Sequence, residues 1–465
     1  MARLRHALWM SLCIPATLGA APAFAGPEPV RNGLAVATFD VDATPPVGAA
    51  MAYGPVVRPA DLSLRCRGVV ILGSGEPIVL CAVDWIGIGN EAHDAFRTAL
   101  AAAAGTSDER VAVHALHQHD APHADFTAER LLREMGVGHH PRFDGDFHRQ
   151  VIERAATEIR AAVPGAKKIT HAGFGRAEVR EIASNRRILG PDGTVVTWRS
   201  SATKDAAARG QPEGTIDPEV AALVLLDGEA PVAVITSYAT HPMSYYRTGV
   251  PGPDFPGIAR FIRTQDLPAA LHVHFTGAGG NVAAGKYNDG APANRVPLAL
   301  RLAAGMRQAY EAAVAARAPL APADVGWASV PVVLEARSEL VPRDLEAQVR
   351  AKPDRGTFAP IDALSFATRA AERHAIPVTC LRVGGARMLH LPGELFVEYQ
   401  LAARAMRPDL GVFMAAYGDY GTGYIGTAAA YPQGGYEVKL SSSFVGPEAE
   451  SRLLSAIRTL LQVTQ

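Results

Sequence analysis

Short apolar runs rich in β-branched residues alternate along this chain with longer Ala-rich stretches at helical spacing. Val30 to Asp42 alternates weakly and ends in Thr44-Pro45-Pro46, which predicts an edge strand and a turn. Leu62 to Leu72 and Ile78 to Asp84 flank Gly73-Ser74-Gly75-Glu76 and predict a hairpin, and Glu91 to Ala104 predicts a helix. Val111, Val113 and the small residues between them predict a short buried strand. Phe147 to Val163 predicts a helix that stops at Pro164-Gly165. The pattern returns to a strand over Lys167 to Val179 and to a hairpin over Ala221 to Leu226 and Val232 to Tyr238. A helix then opens near Asp254, a residue of its N-cap region, and Leu271 to Phe275 forms another strand. Pro297 to Ala316 predicts a long helix, Val325 to Leu334 a strand, and Val341 to His374 a charged, mainly helical excursion. Pro377 to Val383 and Arg387 to Leu391 form a last hairpin before a final helix. Repeated hairpins interleaved with helices predict the α/β (α+β) class, with mixed sheets flanked by helices and a site at strand ends. No low-complexity tract or internal repeat divides the chain, so one large domain is expected.

Length narrows this little, because 465 residues also suffice for two or three average domains. The formal net charge is -1, and no Lys/Arg-dense run or stacking-aromatic pattern is present, which excludes nucleic acid as a partner. The first residues fix the compartment. Arg3, Arg5 and His6 precede an apolar run from Ala7 to Ala21, and Ala23-Phe24-Ala25 is a small-x-small cleavage site. Residues 1–25 therefore read as a signal peptide and residues 26–465 as an exported, periplasmic or secreted protein with no transmembrane segment. Cys13 falls in the removed segment, and Cys66, Cys81 and Cys380 remain. Cys66 and Cys81 face each other across the predicted hairpin, free or paired, and no cysteine has zinc-finger spacing to a histidine.

The stretch Val111 to His123 carries the strongest chemical signal. Pro122 prevents it from continuing as a paired central strand, so its histidines stand where a strand runs out into a loop. His117 and His119 are two apart, and in extended backbone both imidazoles leave one face. That is metal-ligand spacing. A second strand ends in Ala239-Thr240-His241-Pro242, repeating the order strand, His, Pro, and one site assembled from several strand ends is expected. The strand at Leu271 runs into Thr276-Gly277-Ala278-Gly279-Gly280-Asn281, a tight site-facing turn that lacks the Walker and dinucleotide fingerprints. Arg186, in the turn Ser184-Asn185-Arg186-Arg187, is either a substrate-binding cation or a solvated surface group. Glu394 lies at a strand end, where either the site or a helix N-terminus accounts for a carboxylate. Tyr417, Tyr420, Tyr424, Tyr431 and Tyr436 form either a binding loop or a packed coil. His123, His139, His140, Asp120 and Asp125 give the site loop a polar rim.

In this order the motifs resemble the neutral ceramidase family, zinc amidases that cleave the N-acyl bond of ceramide. The stretches that carry the resemblance are Leu116-His117-Gln118-His119, Ser184-Asn185-Arg186, Thr240-His241-Pro242-Met243-Ser244, Thr276 to Asn281, Pro392-Gly393-Glu394 and Tyr424-Ile425-Gly426-Thr427 with Gly435-Tyr436-Glu437. The resemblance implies zinc held by His117, His241, Glu394 and Tyr424, with His119, Arg186 and Tyr436 near the carbonyl of a lipid or small-molecule N-acyl substrate. It covers the catalytic domain only, since the family's C-terminal immunoglobulin-like domain has no counterpart in the sequence. Where the family has Gly-Asp-x-Ser-Pro with an active-site serine, this chain has Gly280-Asn281-Val282-Ala283-Ala284, and Ala283 cannot be a nucleophile.

Zinc chemistry survives that loss, because an activated water needs no side-chain nucleophile. Three rivals remain. An amidohydrolase barrel would need eight regular βα units, and hairpins stand in their place. The metallo-β-lactamase pattern His-x-His-x-Asp-His is not met, since Asp120 directly follows His119. A catalytically dead metal-binding relative would have no reason to keep all four ligand positions.

Overall fold

The computed structural model describes residues 33–137, 140–351 and 360–462. The predicted signal peptide with Cys13, and His139 of the predicted rim, lie outside the described residues.

The predicted hairpins form, and each becomes the centre of a larger sheet. In the first sheet Leu34–Asp42 pairs antiparallel with Arg65–Leu72, which pairs antiparallel with Ile78–Val83. The chain crosses over through helix Glu91–Ala104 and returns as Val111–Ala115, parallel to Ile78–Val83. In the second sheet His171–Glu178, Glu219–Asp227 and Ala230–Tyr238 pair antiparallel in turn. Helix Asp254–Asp266 then leads to Leu271–Thr276, again parallel. In the third sheet Val325–Val333, Ala375–Val383 and Ala386–His390 pair antiparallel, and helix Val397–Met406 leads to the parallel strand Gly411–Ala415. One topology thus occurs three times. The expectation of no internal repeat is corrected at this level: what repeats is strand direction and crossover, and apolar strands of one direction are written in many different residues.

Two further predictions are refined. Leu34–Asp42 is not a bare edge, because Lys167–Ile169 pairs along its first residues. The strand expected over Lys167 to Val179 breaks at Thr170 into two, and its halves join different sheets.

Helices Glu91–Ala104 and Asp146–Ala162 cover the outer face of the first sheet, burying Phe96, Leu100, Val151 and Ile159 against Val79, Cys81 and Val83. Inner faces of all three sheets share one apolar centre that includes Val69, Leu80, Leu223, Ile235, Met388 and Phe413. Each such side chain, fully buried, contributes ~1.5–3 kcal/mol. Cys66 and Cys81 face each other with sulfurs 3.5 Å apart, buried and as free thiols. No described sheet closes into a barrel, and no helix among the described residues is long and apolar enough to cross a membrane.

The three parallel strands meet at their C-terminal ends. Ala115 N–H donates to Tyr417 O and Ala416 N–H to Thr276 O, each at 2.9 Å, and Thr276 Oγ1 donates to Leu116 O at 2.7 Å. Residues that follow these ends, and those that follow the neighbouring third strands, are therefore delivered to one place.

Candidate metal centre

His117 follows Val111–Ala115, the parallel strand of the first sheet, His241 the third strand of the second, and Glu394 the third strand of the third. All three side chains are buried. His117 Nε2 lies 3.2 Å from His241 Nε2 and 3.1 Å from Glu394 Oε2, and the remaining edge, His241 Nε2 to Glu394 Oε2, is 3.7 Å. Ligand atoms ~2.0–2.2 Å from a tetrahedral ion stand ~3.3–3.6 Å apart, so this triangle has the size of one face of such a shell. Glu394 Oε2 is buried without a hydrogen-bond donor, an arrangement that a cation would satisfy.

The tautomers suit the same use. His117 Nδ1 stands 2.5 Å from Ile86 O, and His241 Nδ1 is 3.4 Å from Gly279 O, so each ring donates from Nδ1 and keeps the Nε2 lone pair free. Burial, then the neighbouring His117, Arg186 and His119, holds His241 well below the ordinary histidine range and keeps it neutral.

His119 belongs to the same cluster. Ligand atoms of His117, His119 and His241 all lie within 4.8 Å of one another. The route by which the two loop histidines converge differs from the expected one. His117 has φ of 73°, in the left-handed region, so the backbone turns there and does not run extended to His119. His119 Nδ1 stands 3.2 Å from His117 O, and its ring stacks on Tyr53 with centroids 5.6 Å apart.

Arg186 is buried, not solvated. Its turn is fixed because Ser184–Asn185 pairs with Val282–Ala283, and Arg186 N–H donates to Asn281 O at 2.8 Å. Its Nη1 donates to Tyr424 Oη at 3.0 Å and to Gly280 O at 3.1 Å. Its guanidinium lies 4.7 Å from the Trp198 ring, 5.6 Å from Tyr424 and 5.8 Å from Tyr436. Burial opposes its charge, but Tyr424, Glu437 and Glu394 outweigh that and keep it protonated.

Glu394 pairs with Tyr424 in a two-residue parallel ladder, and the helix begins only at Val397, so its carboxylate serves the cluster and not the helix end. The Tyr424 ring lies parallel to His241 at 6.3 Å. Tyr436 stands beside Trp198 at 4.9 Å and Tyr424 at 5.7 Å, and burial, then Glu394, pushes its pKa up so that it remains an O–H donor. Ala283 is buried in the strand pair, where Ser184 Oγ donates to its carbonyl at 2.8 Å.

All seven residues named from the sequence, His117, His119, Arg186, His241, Glu394, Tyr424 and Tyr436, line one cavity of about 330 Å3. Tyr53, Trp198 and Tyr246 share its wall and were not singled out, while Met243 and Tyr420, also in it, stand in stretches named without a role for them. Sequence spacing offers no signal for Tyr53 or Trp198, which arrive on separate hairpins. The polar rim is corrected in part. Asp120 is buried and accepts from Arg247 N–H at 2.8 Å and Thr248 Oγ1 at 2.7 Å, which ties down the loop carrying Tyr246. Asp125 caps helix Phe126–Glu134 through Ala128 N–H at 3.0 Å. These carboxylates hold the frame of the cavity and do not line its mouth.

The glycine-rich turn is the seam between the second and third sheets. A Cβ at Gly280 would lie 2.3 Å from Glu394 O, and one at Gly279 would lie 2.8 Å from the Thr240 carbonyl carbon. Gly280→Ala is therefore expected to push the Glu394 strand away from His241 at a cost of ~1–3 kcal/mol. Metal content per folded chain checks this, and it should fall although circular dichroism is unchanged.

No family model matches the chain, and no curated protein does. Among solved structures, the neutral ceramidase from Pseudomonas aeruginosa aligns with a TM-score of 0.66 at 16% identity, over 93% of this chain and 75% of that one. A ceramidase complexed with C2 aligns with a TM-score of 0.66 at 17% identity, over 93% of this chain and 76% of the other. At such identity the likeness is one of architecture, and over nearly its whole length this chain has the neutral ceramidase fold.

Proposed function

We propose that the protein is an exported zinc-dependent hydrolase that cleaves an N-acyl amide bond, in ceramide or a related N-acyl compound. The observation that carries the reading is the triangle of His117 Nε2, His241 Nε2 and the donorless Glu394 Oε2 in the wall of a cavity in the neutral ceramidase fold. His117, His241 and Glu394 would hold the ion, and Tyr424, beside Glu394 in the ladder, would be its fourth protein ligand. Zinc, when bound, supplies Lewis acidity, polarising a carbonyl and making water a competent nucleophile near neutral pH.

The chain's own groups do the rest. His119 has its Nδ1 committed to the His117 carbonyl, so its Nε2 lone pair takes the proton from attacking water and returns it to the leaving nitrogen. Arg186, fixed by Gly280 O and stacked among three aromatic rings, and the Tyr436 hydroxyl face the oxygen that becomes negative. No side chain is acylated, since Ala283 stands where the resembling family has serine.

The test is metal analysis of the purified protein with a screen of N-acyl substrates. About one zinc per chain is expected. Intact-mass spectrometry during turnover, with hydroxylamine trapping, should find no acyl adduct, and a stable adduct would remove the direct-water mechanism. The cavity, about 330 Å3 and lined by tyrosines with Ser200 and Ser201, lies at the small end of the ~300–1,000 Å3 of ligand pockets. Short-chain N-acyl amides are accordingly expected to exceed long-chain ceramide in kcat/KM by ~10-fold or more. Equal values for both would show that the cavity does not select for size.

A further inference from the structure

We infer that Tyr417 and Tyr420 are positioning residues for the metal, because between them they orient all three side chains of the triangle; the inference rests on the zinc reading above. Both follow strand Gly411–Ala415 of the third sheet, and their rings lie against the cluster.

Tyr420 acts on Glu394. Its hydroxyl donates to Oε1 at 2.8 Å, which occupies one carboxylate oxygen and leaves Oε2, the atom without a donor, aimed at both imidazole Nε2 atoms. A carboxylate held at one oxygen cannot rotate freely about its last bond, so the hydroxyl selects which oxygen meets an ion. The ring is itself fixed. A Cβ on Gly87 would lie 2.4 Å from Tyr420 Cδ1, so the ring sits directly on backbone that only glycine leaves open. Asp419 accepts from Gly421 N–H at 3.0 Å and from Asn90 N–H at 2.8 Å, which ties the turn that carries Tyr420 to the start of helix Glu91–Ala104.

Tyr417 acts on the two histidines. Its ring lies on His117 with centroids 4.4 Å apart and planes 23° from parallel, which prevents the imidazole from tipping. Its hydroxyl is 3.4 Å from His241 Nδ1, as is Gly279 O, and the Nδ1–H is shared between the two acceptors. The Nε2 lone pair of His241 is thereby kept toward the triangle. Tyr417 adopts φ of 60°, a conformation a non-glycine residue keeps only where its surroundings impose it. Here Tyr417 N–H donates to Gly393 O at 2.9 Å while Tyr417 O accepts from Ala115 N–H at 2.9 Å. The strained residue is thus pinned between the strand end that carries His117 and the turn that carries Glu394.

Tyr420→Phe and Tyr417→Phe remove one oxygen each, and Tyr310→Phe, on the outer helix Arg295–Ala315, is the control. Zinc affinity by chelator competition, the absorption spectrum of the cobalt-loaded protein and the melting temperature of the metal-free protein are read for each. Tyr420→Phe is expected to weaken zinc binding ~10–100-fold, with a smaller loss for Tyr417→Phe. Cobalt bands should shift in both, and metal-free melting should match the wild type. If the wild type binds zinc and both variants bind it equally with the same cobalt spectrum, the inference is wrong and the zinc reading stands. Lowered metal-free melting with unchanged affinity would likewise reduce the pair to packing. A wild-type protein that binds no zinc overturns the zinc reading, and this inference with it.

Discussion

Glu394→Gln is expected to strip the dialysed protein of zinc and to lower turnover by ~10^3 or more, whereas His119→Ala is expected to keep the metal and lose only turnover. The two variants separate the two ways in which the buried cluster could hold an ion. Three imidazoles, His117, His119 and His241, lie within 4.8 Å of one another, and the Glu394 carboxylate lies 3.1 and 3.7 Å from two of them. The tighter set contains Glu394. Its edges fit a shell around one ion, and its Oε2 has no other partner, whereas the ligand atoms of the three histidines lie within a wider 4.8 Å. An amide in place of the carboxylate removes the anionic ligand but keeps the shape, so the loss reports charge and not packing. Removing Lewis acidity worth several kcal/mol corresponds to the thousandfold fall at ~1.4 kcal/mol per decade. A proton shuttle alone contributes ~10^2–10^4 in rate and nothing to metal affinity. Metal retained in Glu394→Gln and lost in His119→Ala would assign the ion to the three histidines and leave the proton shuttle without a residue.

The elements that periodicity predicts are nearly all present, and helix Glu91–Ala104 has the predicted bounds. Chain order also brought out His117 and His241, because each closes a strand, and a residue at a strand end is displaced little by errors in the strand itself; Glu394 stayed open between the site and a helix end until the family resemblance chose. Two kinds of feature were not legible. The threefold topology is carried by the direction of strands, which a pattern of apolar residues does not encode. Side chains whose role depends on a partner far away in sequence were equally hidden. Arg186 stays open between a substrate-binding cation and a solvated turn residue until Glu437, 251 positions on by number, is placed against it. Tyr420 and Tyr424 are four apart in a tyrosine-rich loop, and only the Glu394–Tyr424 ladder shows that one flanks the carboxylate while the other hydrogen-bonds it. The left-handed backbone at His117 shows the converse case, in which two histidines expected to converge through extended backbone do lie together but by a turn.

Glu437→Ala is expected to be the most destabilising single substitution near the site, by ~3–5 kcal/mol, because it leaves buried positive charge without its counterion. Glu437 is wholly buried. It lies 3.3 Å from Arg186 Nε and 3.4 Å from Arg187 Nη1, and Trp198 Nε1 donates to it at 2.7 Å. Both guanidiniums have nearly all of their side-chain surface covered, so water cannot replace the carboxylate at small cost. Glutamine should recover part of the loss, since its oxygen still accepts from the indole while its charge is gone. The order of stability expected is wild type, then Glu437→Gln, then Glu437→Ala, measured by denaturant unfolding of the metal-free protein so that zinc binding does not mask it. A separate effect on turnover should persist in Glu437→Gln under conditions where it is fully folded. Arg186 then keeps its charge but loses the partner that aims it across Trp198, and an oxyanion donor displaced by a fraction of an ångström loses rate. If Glu437→Ala unfolds at wild-type denaturant concentrations, Glu437 is not the counterion on which the buried guanidiniums depend, and Glu394 with the rings around Arg186 suffices to hold its charge.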